Sequence, residues 1–330
     1  MYKPRFKGRH YDIGYRFGSL LYRRGARIEK YFHMTKEKRD FGIECMFICE
    51  KVFPEVLDEI RGLAAGTKLD FRDFASFIFG MYCFEFKNWC TNFACKDENT
   101  IILGRNSDFA VSIQDQYESA FYRPEGSYSF IGNSTAMVQM EDGINEHGLA
   151  IGLTFINLKV VSPGLNAGIL LRYVLEKCKT VKEALERLPR LPPSSAHTLI
   201  MVDKGGDMAV LESNCKKSVV IKPKPGENFM VSTNHFISPE MQQYQDDVED
   251  FRSIDRYHNA YAALKSSKNY SVELAQDILS GKHGFMCQYD RSKGLDTVWS
   301  CVYDIKNNIA LRADGNPRRA KYMRDTRMAF

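Results

Sequence analysis

The chain predicts an α+β fold of stacked antiparallel sheets flanked by helices, and two features of its patterning carry that expectation. Apolar residues recur at three- and four-residue spacing through the first quarter of the sequence, whereas short β-branched and aromatic runs dominate from Cys90 onward. Those runs come in blocks separated by pairs of helical segments, where a parallel sheet would show strands and helices in strict alternation. With 330 residues, 44% of them hydrophobic and 12% aromatic, the chain has ample material for a sizeable core.

Taken in order, residues from about 10 to 85 read as helical. Ile13, Phe17, Leu20 and Leu21 keep helical spacing, as do Val52, Val56, Ile60 and Leu63. Pro54 suits a helix start and Gly66 a helix end, and Cys45 and Cys49, four apart, read as core residues. Strands are expected at 100–103, 120–123, 135–140 and 149–155, with Pro124-Glu125-Gly126 and Asp142-Gly143 as turns. Helical spacing returns at 169–178 and 181–188, closed by Pro189 and Pro192-Pro193. A second strand block covers 197–202, 208–212, 218–221 and 229–232. Helices at 239–264 and 272–279 and strands at 297–305 and 309–313 complete the pattern.

Charge excludes some partners. The 46 basic residues are offset by 41 acidic ones, a net +5, and the clusters are small: Arg23-Arg24, Lys216-Lys217, and a tail through Arg318-Arg319, Lys321, Arg324 and Arg327. No dense basic stripe or recognisable module points to nucleic acid, although a mildly basic mouth would draw an acidic or phosphate-bearing substrate. No run reaches the roughly 18–20 apolar residues of a membrane helix, so membrane insertion is not expected. The start, Met1-Tyr2-Lys3-Pro4-Arg5, lacks a signal-peptide core. Nine cysteines, odd in number and irregularly spaced, fit reduced thiols and a cytoplasmic location. Neither a metal site nor a bound cofactor is expected: the seven histidines form no His-Glu-x-x-His, and Cys90 and Cys95 would face opposite sides of one strand.

The chemistry-bearing residues gather at strand ends. Cys90-Thr91-Asn92-Phe93-Ala94 opens one strand and Gly104-Arg105-Asn106-Ser107-Asp108 closes the next, so a hairpin would join Cys90, Arg105 and Asp108. Ser232-Thr233-Asn234-His235 ends another strand with an amide, and Arg252 and Arg256 flank the start of a helix. Each has a plainer reading. A lone cysteine is usually a small buried hydrophobe, Arg105 and Asp108 could be a structural ion pair, and Asn234 could be a turn residue. Phe71, Phe74, Phe77, Phe79, Tyr82 and Phe84 could line an acyl pocket, but at helical spacing they read first as core.

Together with Gly8, Ile13-Gly14-Tyr15, Gly18, Glu59-Ile60-Arg61-Gly62-Leu63-Ala64-Ala65-Gly66, Asn145-Glu146-His147-Gly148-Leu149, Ser253-Ile254-Asp255-Arg256 and Thr297-Val298-Trp299-Ser300-Cys301, these pieces follow a known order and spacing. The chain resembles the N-terminal-nucleophile hydrolases of the choloylglycine hydrolase superfamily, and within them the acyl-coenzyme A:6-aminopenicillanic acid acyltransferase family. The resemblance implies a four-layer αββα sandwich made as an inactive precursor. The cut would fall at Trp89-Cys90, giving a helical small chain 1–89 and a large chain 90–330 that stay associated as one integrated domain.

By the same resemblance Cys90 would be the nucleophile, its freed α-amine the base, and the substrate a small N-acylated molecule or acyl-coenzyme A. Asp108 would orient the amine, Arg105 and Arg256 would favour thiolate and hold Asp108 ionised, and Asn234 would donate to the oxyanion. Thr154, Phe155 and His235 would contact substrate, with His147 structural or substrate-lining. Two positions depart from the pattern. Trp89 stands where the acyltransferases often place Gly before the nucleophile, and Thr154 stands where bile-salt-cleaving relatives usually place Asn. The alternatives are a linear-amide hydrolase without transferase activity and an unprocessed acyl-binding protein on the same fold.

Overall fold

The computed structural model describes residues 2–84, 88–135, 137–157, 159–246 and 251–328. After a short strand, β1 (Arg5–Gly8), come four helices: α1 (His10–Arg23), α2 (Lys36–Val52), α3 (Pro54–Thr67) and α4 (Phe71–Gly80). Local chemistry marks their ends. Thr35 caps α2 by accepting from the Lys38 N–H, Pro54 takes the first position of α3, and Asp70 caps α4 by accepting from the Asp73 N–H. Gly66 does not end α3. The helix runs through Thr67 and stops at Lys68, which takes the left-handed conformation at φ 62°.

Gly66 serves packing instead. Gly14 and Gly18 on α1 face Gly62 and Gly66 on α3, and a Cβ added at Gly14 would lie 2.0 Å from the Glu59 carbonyl oxygen. One at Gly62 would lie 2.1 Å from the Tyr11 oxygen. The two helices therefore touch backbone to backbone.

The rest of the chain supplies β2 (Trp89–Lys96), β3 (Ile101–Ala110), β4 (Glu118–Pro124), β5 (Phe130–Ser134), β6 (Asp142–Asn145) and β7 (Ala150–Phe155). Helices α5 (Ala167–Lys177) and α6 (Val181–Arg187) follow, then β8 (His197–Val202), β9 (Met208–Ser213), β10 (Ser218–Ile221) and β11 (Phe229–Ser232). Last come α7 (Pro239–Gln242), α8 (Ser253–Ser266), α9 (Val272–Leu279), β12 (Leu295–Asp304), β13 (Ile309–Ala313) and β14 (Met323–Arg324). One sheet has the order β1-β4-β5-β6-β7-β8-β9-β10 and the other β11-β2-β3-β12-β13-β14.

Three apolar clusters separate four layers. Phe130, Ile151, Leu153, Leu199 and Met201 turn outward from the eight-stranded sheet to meet α1–α5. Ala94, Leu103, Ile131, Ile200, Trp299 and Tyr303 pack between the sheets. Phe93, Ile102, Val231 and Val302 leave the six-stranded sheet to meet α8 and α9. The order is α, β, β, α, as the resemblance implies. No helix among the described residues is long and apolar enough to cross a membrane.

The structure corrects several expectations. The pairing of β1 with β4 is parallel, so the first 89 residues contribute a strand as well as helices. Residues 135 and 137–140 are not a strand: Met137 adopts φ 59°, and the neighbouring strand is β5, ending at Ser134. Asp142-Gly143 is not a turn but the start of β6, where a Cβ on Gly143 would meet the Ile131 oxygen at 2.6 Å. Glycine is there for close approach. The helix expected over 239–264 is divided into α7 and α8, with 247–250 outside the described residues.

Gly14→Ala tests the helix contact. Helix propensity alone favours Ala by about 1 kcal/mol, but the clash is with backbone that no rotamer change relieves. The expected net result is a loss of about 1–2 kcal/mol, read from the urea midpoint at unchanged m-value.

Candidate active site

The β2–β3 hairpin sets the site. In its register Trp89 faces Asp108, Cys90 faces Ser107 and Asn92 faces Arg105. Side chains alternate along each strand, so Cys90, Asn92 and Ala94 point between the sheets while Phe93 and Cys95 point toward α8 and α9. The same alternation divides β3. Arg105 and Ser107 face inward with Cys90, and Asp108, three residues from Arg105, faces the other side. Arg105 and Asp108 are therefore not an ion pair.

Cys90 is fully buried, and Arg105 Nη2 donates to its Sγ at 3.0 Å. Burial pushes the thiol up to about 12; Arg105 pulls the other way without prevailing, and Glu141 and Asp108 add to the rise. A guanidinium in contact ordinarily lowers a thiol pKa. Here desolvation wins, and the continuous chain holds a protonated thiol.

The Cys90 backbone is gripped from the opposite side. Its N–H donates to Asn234 Oδ1 at 2.8 Å, and its carbonyl accepts from Arg256 Nη1 at 2.7 Å. Arg256 also donates to Thr91 Oγ1 at 2.9 Å and to Asn234 Oδ1 at 2.9 Å. Asn234 thus reaches Cys90 through its oxygen, while its Nδ2 donates to the carbonyls of Asn88, at 3.2 Å, and Phe155, at 2.7 Å. Arg256 arrives on α8, just after Phe251 and Arg252, which adopt φ 48° and 59°. Two successive non-glycine residues in that region store strain, and Phe251 packs its ring 3.8 Å from that of Trp89.

Asp108 accepts from Thr297 Oγ1 at 2.5 Å and from Tyr289 at 2.9 Å, with Arg256 Nη1 at 4.0 Å. Burial raises it to about 6, against the pull of Arg256 and, more weakly, Arg105, so near pH 7 it is chiefly the carboxylate.

Sequence reasoning missed the inner carboxylates. Arg105 Nη1 binds Asp142 at 2.9 Å and Nη2 binds Glu141 at 3.2 Å, all three side chains fully buried. Asp142 is held by Trp299 Nε1 at 2.9 Å and Tyr303 at 2.5 Å. Glu141 accepts from Asn88 Nδ2 at 3.0 Å, Ser107 at 3.3 Å, Tyr82 at 3.3 Å and Thr135 Oγ1 at 2.6 Å. The available signal for Asp142 was its place beside Gly143, which reads as a turn; Glu141 had none.

The three expected substrate contacts brace the Asn234 turn. Thr154 Oγ1 donates to the Thr233 carbonyl at 2.7 Å and lies 2.6 Å from Thr198 Oγ1. Phe155 offers its carbonyl to Asn234 and points its ring toward the helices, 6.4 Å from Tyr82. His235 Nδ1 faces Ser253 Oγ at 2.8 Å, and its ring meets Tyr257 edge-on at 5.5 Å. Among the described residues no group of three or more His, Cys, Asp or Glu could hold a metal.

Two measurements check this geometry. Glu141→Ala removes one of the two carboxylates of a fully buried guanidinium, so urea unfolding should show a loss of about 3 kcal/mol. Asp108 binds its proton more tightly folded than unfolded, from 3.8 to about 6. Over that interval the unfolded chain carries fewer protons, so stability falls as pH rises. Relative to Asp108→Asn, which cannot titrate, the parent should lose thermal stability from pH 4 to 6 and hold a constant difference above it.

The arrangement has counterparts. A family model described as acyl-coenzyme A:6-aminopenicillanic acid acyl-transferase matches residues 95–319. The acyl-coenzyme A:6-aminopenicillanic-acid-acyltransferase 40 kDa form of Emericella nidulans is 22% identical, over 93% of this chain and 91% of that protein. Among solved structures, penicillin V acylase from Agrobacterium tumefaciens superposes with a TM-score of 0.50 at 20% identity, covering 68% of this chain and 82% of its own. A variant of conjugated bile acid hydrolase from Clostridium perfringens gives 0.52 at 15% identity, covering 71% and 92%. These two share the fold, and the family match, which spans more than half of the sequence, makes this chain a member of the acyl-coenzyme A:6-aminopenicillanic acid acyl-transferase family.

Proposed function

We propose that this chain is an N-terminal cysteine nucleophile enzyme that transfers or hydrolyses the acyl group of N-acylated small molecules or acyl-coenzyme A, and that it arms itself by cutting Trp89–Cys90. One observation carries the reading: Cys90 is held by both ends, its N–H on Asn234 at 2.8 Å and its Sγ beside Arg105 at 3.0 Å, with the thiol protonated. Such a thiol needs a base within reach. An amide nitrogen cannot be one, whereas an α-amine with a reference pKa of about 8 can.

In the cut, Sγ attacks the Trp89 carbonyl carbon; the C–S bond forms, the C–N bond breaks, and the thiol proton passes to the departing Cys90 nitrogen. Water then hydrolyses the thioester, leaving a Trp89 carboxylate and a Cys90 amine and thiol. In turnover the amine takes the thiol proton, Sγ attacks the substrate carbonyl, and the leaving group, an amine from an amide or the coenzyme A thiol from a thioester, carries the proton away. Water or a second amine then accepts the acyl group. Relatives named for transfer and neighbours named for hydrolysis support the shared thioester.

The remaining residues take roles by contact. Asn234 Oδ1 orients the Cys90 nitrogen, and once the chain is cut Asn88 can withdraw, returning an Nδ2–H for the oxyanion, a donor worth about 3 kcal/mol. Asp108 and Arg256 flank the new amine, and Arg105 stabilises thiolate as it forms. Thr154, Phe155 and His235 act through the turn they brace. Retention of the small chain is supported by β1 on β4 and by the buried Glu59–Arg172 contact at 2.6 Å. All nine cysteines are free, which suits a reducing cytoplasm.

Intact-mass spectrometry of purified protein tests the proposal. The parent should give two fragments divided before Cys90, and Cys90→Ala one uncut, cooperatively folded chain with no acyl turnover. A parent that stays whole, or a Cys90→Ala variant that retains turnover, overturns it.

A further inference from the structure

A cavity of about 460 Å³ lies beside the N-terminal helices, and Thr135, a donor to Glu141, is part of its lining. Its size lies within the about 300–1,000 Å³ of small-molecule sites. Phe17 and Leu21 from α1, Phe77 from α4, and Met81 and Met137 make its walls largely apolar. Three cations, Arg24, Arg27 and Lys30, stand along the segment that follows α1 and also line it.

Glu118 lies inside. It opens β4, is 4% exposed, and its Oε1 is buried with no hydrogen-bond partner among the described residues. A buried carboxyl oxygen without a partner is costly unless a ligand meets it. Burial, with Glu59 adding and Arg172 opposing, raises this carboxyl to about 8, so at neutral pH it is chiefly the acid, able to donate. Tyr2 joins the two ends. Its hydroxyl is shifted upward by burial, then by Glu118, against the pull of Arg24, so both groups stand within electrostatic reach of it.

We propose that this cavity binds an amphipathic carboxylate of the fatty-acid type, its chain along α1 and α4 and its head among Arg24, Arg27, Lys30 and the Glu118 carboxyl. Charge decides the occupant. An alkylammonium of the same shape would meet three cations at the entrance and a carboxyl that burial keeps neutral. A neutral alcohol would bring no charge to the cations, of which Arg27 has only Glu29, at 3.7 Å, as an acidic partner among the described residues. Thr135, whose Oγ1 donates to Glu141, links the cavity wall to the Arg105 network, but binding of the carboxylate is read without turnover.

Isothermal titration of the full-length protein with decanoate, decanol and decylamine at pH 7 provides that test. Decanoate should bind at least tenfold more tightly than either of the others. The double variant Arg24→Glu/Arg27→Glu changes exposed side chains and should weaken decanoate at least tenfold with an unchanged melting temperature. Leu21→Trp, which fills the cavity, should do the same, whereas Glu118→Gln, neutral and still able to donate, should stay within threefold of the parent. Tighter binding of decylamine than decanoate, or decanoate binding indifferent to both the charge reversal and Leu21→Trp, would overturn the proposal.

Discussion

One buried guanidinium organises the interior of this protein. Arg105 sits between the sheets with no solvent exposure, and such a charge persists only where carboxylates pair with it; its Nε has no hydrogen-bond partner among the described residues. Glu141 and Asp142 meet two of its arms, the indole of Trp299 lies 5.4 Å from its carbon, and Cys90 Sγ takes a share of Nη2. The carboxylates must then be satisfied in turn. Trp299, Tyr303, Tyr82, Asn88, Ser107 and Thr135 all point inward for that reason. A polar island in the middle of a two-sheet core is the result, and the thiol stands at its edge.

The period of two along β3 gives the site its two-sided character. Arg105 reaches the Cys90 side chain from between the sheets, while Asp108 and Arg256 belong to the face covered by α8. Cys90 is therefore held by two electrostatic groups that do not touch each other. Arg105 answers to the inter-sheet carboxylates, and Arg256 answers to the main chain of Cys90 and the amide of Asn234.

How far the sequence reached follows from the same physics. Strands with long apolar runs, such as β8 and β12, and helices with regular stripes, such as α9, were visible because burial writes itself into composition. The strands β5 and β6 were not. Their segments, Phe-Ile-Gly-Asn-Ser and Asp-Gly-Ile-Asn, carry turn-type residues because Gly143 must let a neighbouring carbonyl come close. Cys90, Asp108, Asn234 and Arg256 emerged from motif order, and the structure brings all four together. Asp142, one of the two carboxylates on Arg105, was hidden in the segment read as a turn, although strand alternation already argued against Asp108, an odd number of residues away.

The contacts that cross residue 89 would take on a further meaning if the chain is cut before Cys90 as proposed. His10 on Glu176, Glu59 on Arg172, and β1 along β4 all join the first 89 residues to the remainder. Before the cut they form within one molecule, where tethering makes the encounter cheap. Afterwards the same native state could be regained from its unfolded pieces only by collision of two chains, at a rate set by dilution. Lifetime in the mature form would then rest on the height of the barrier to opening and no longer on reversible equilibrium. The precursor would be the form that folds, and the mature enzyme the form that must not unfold.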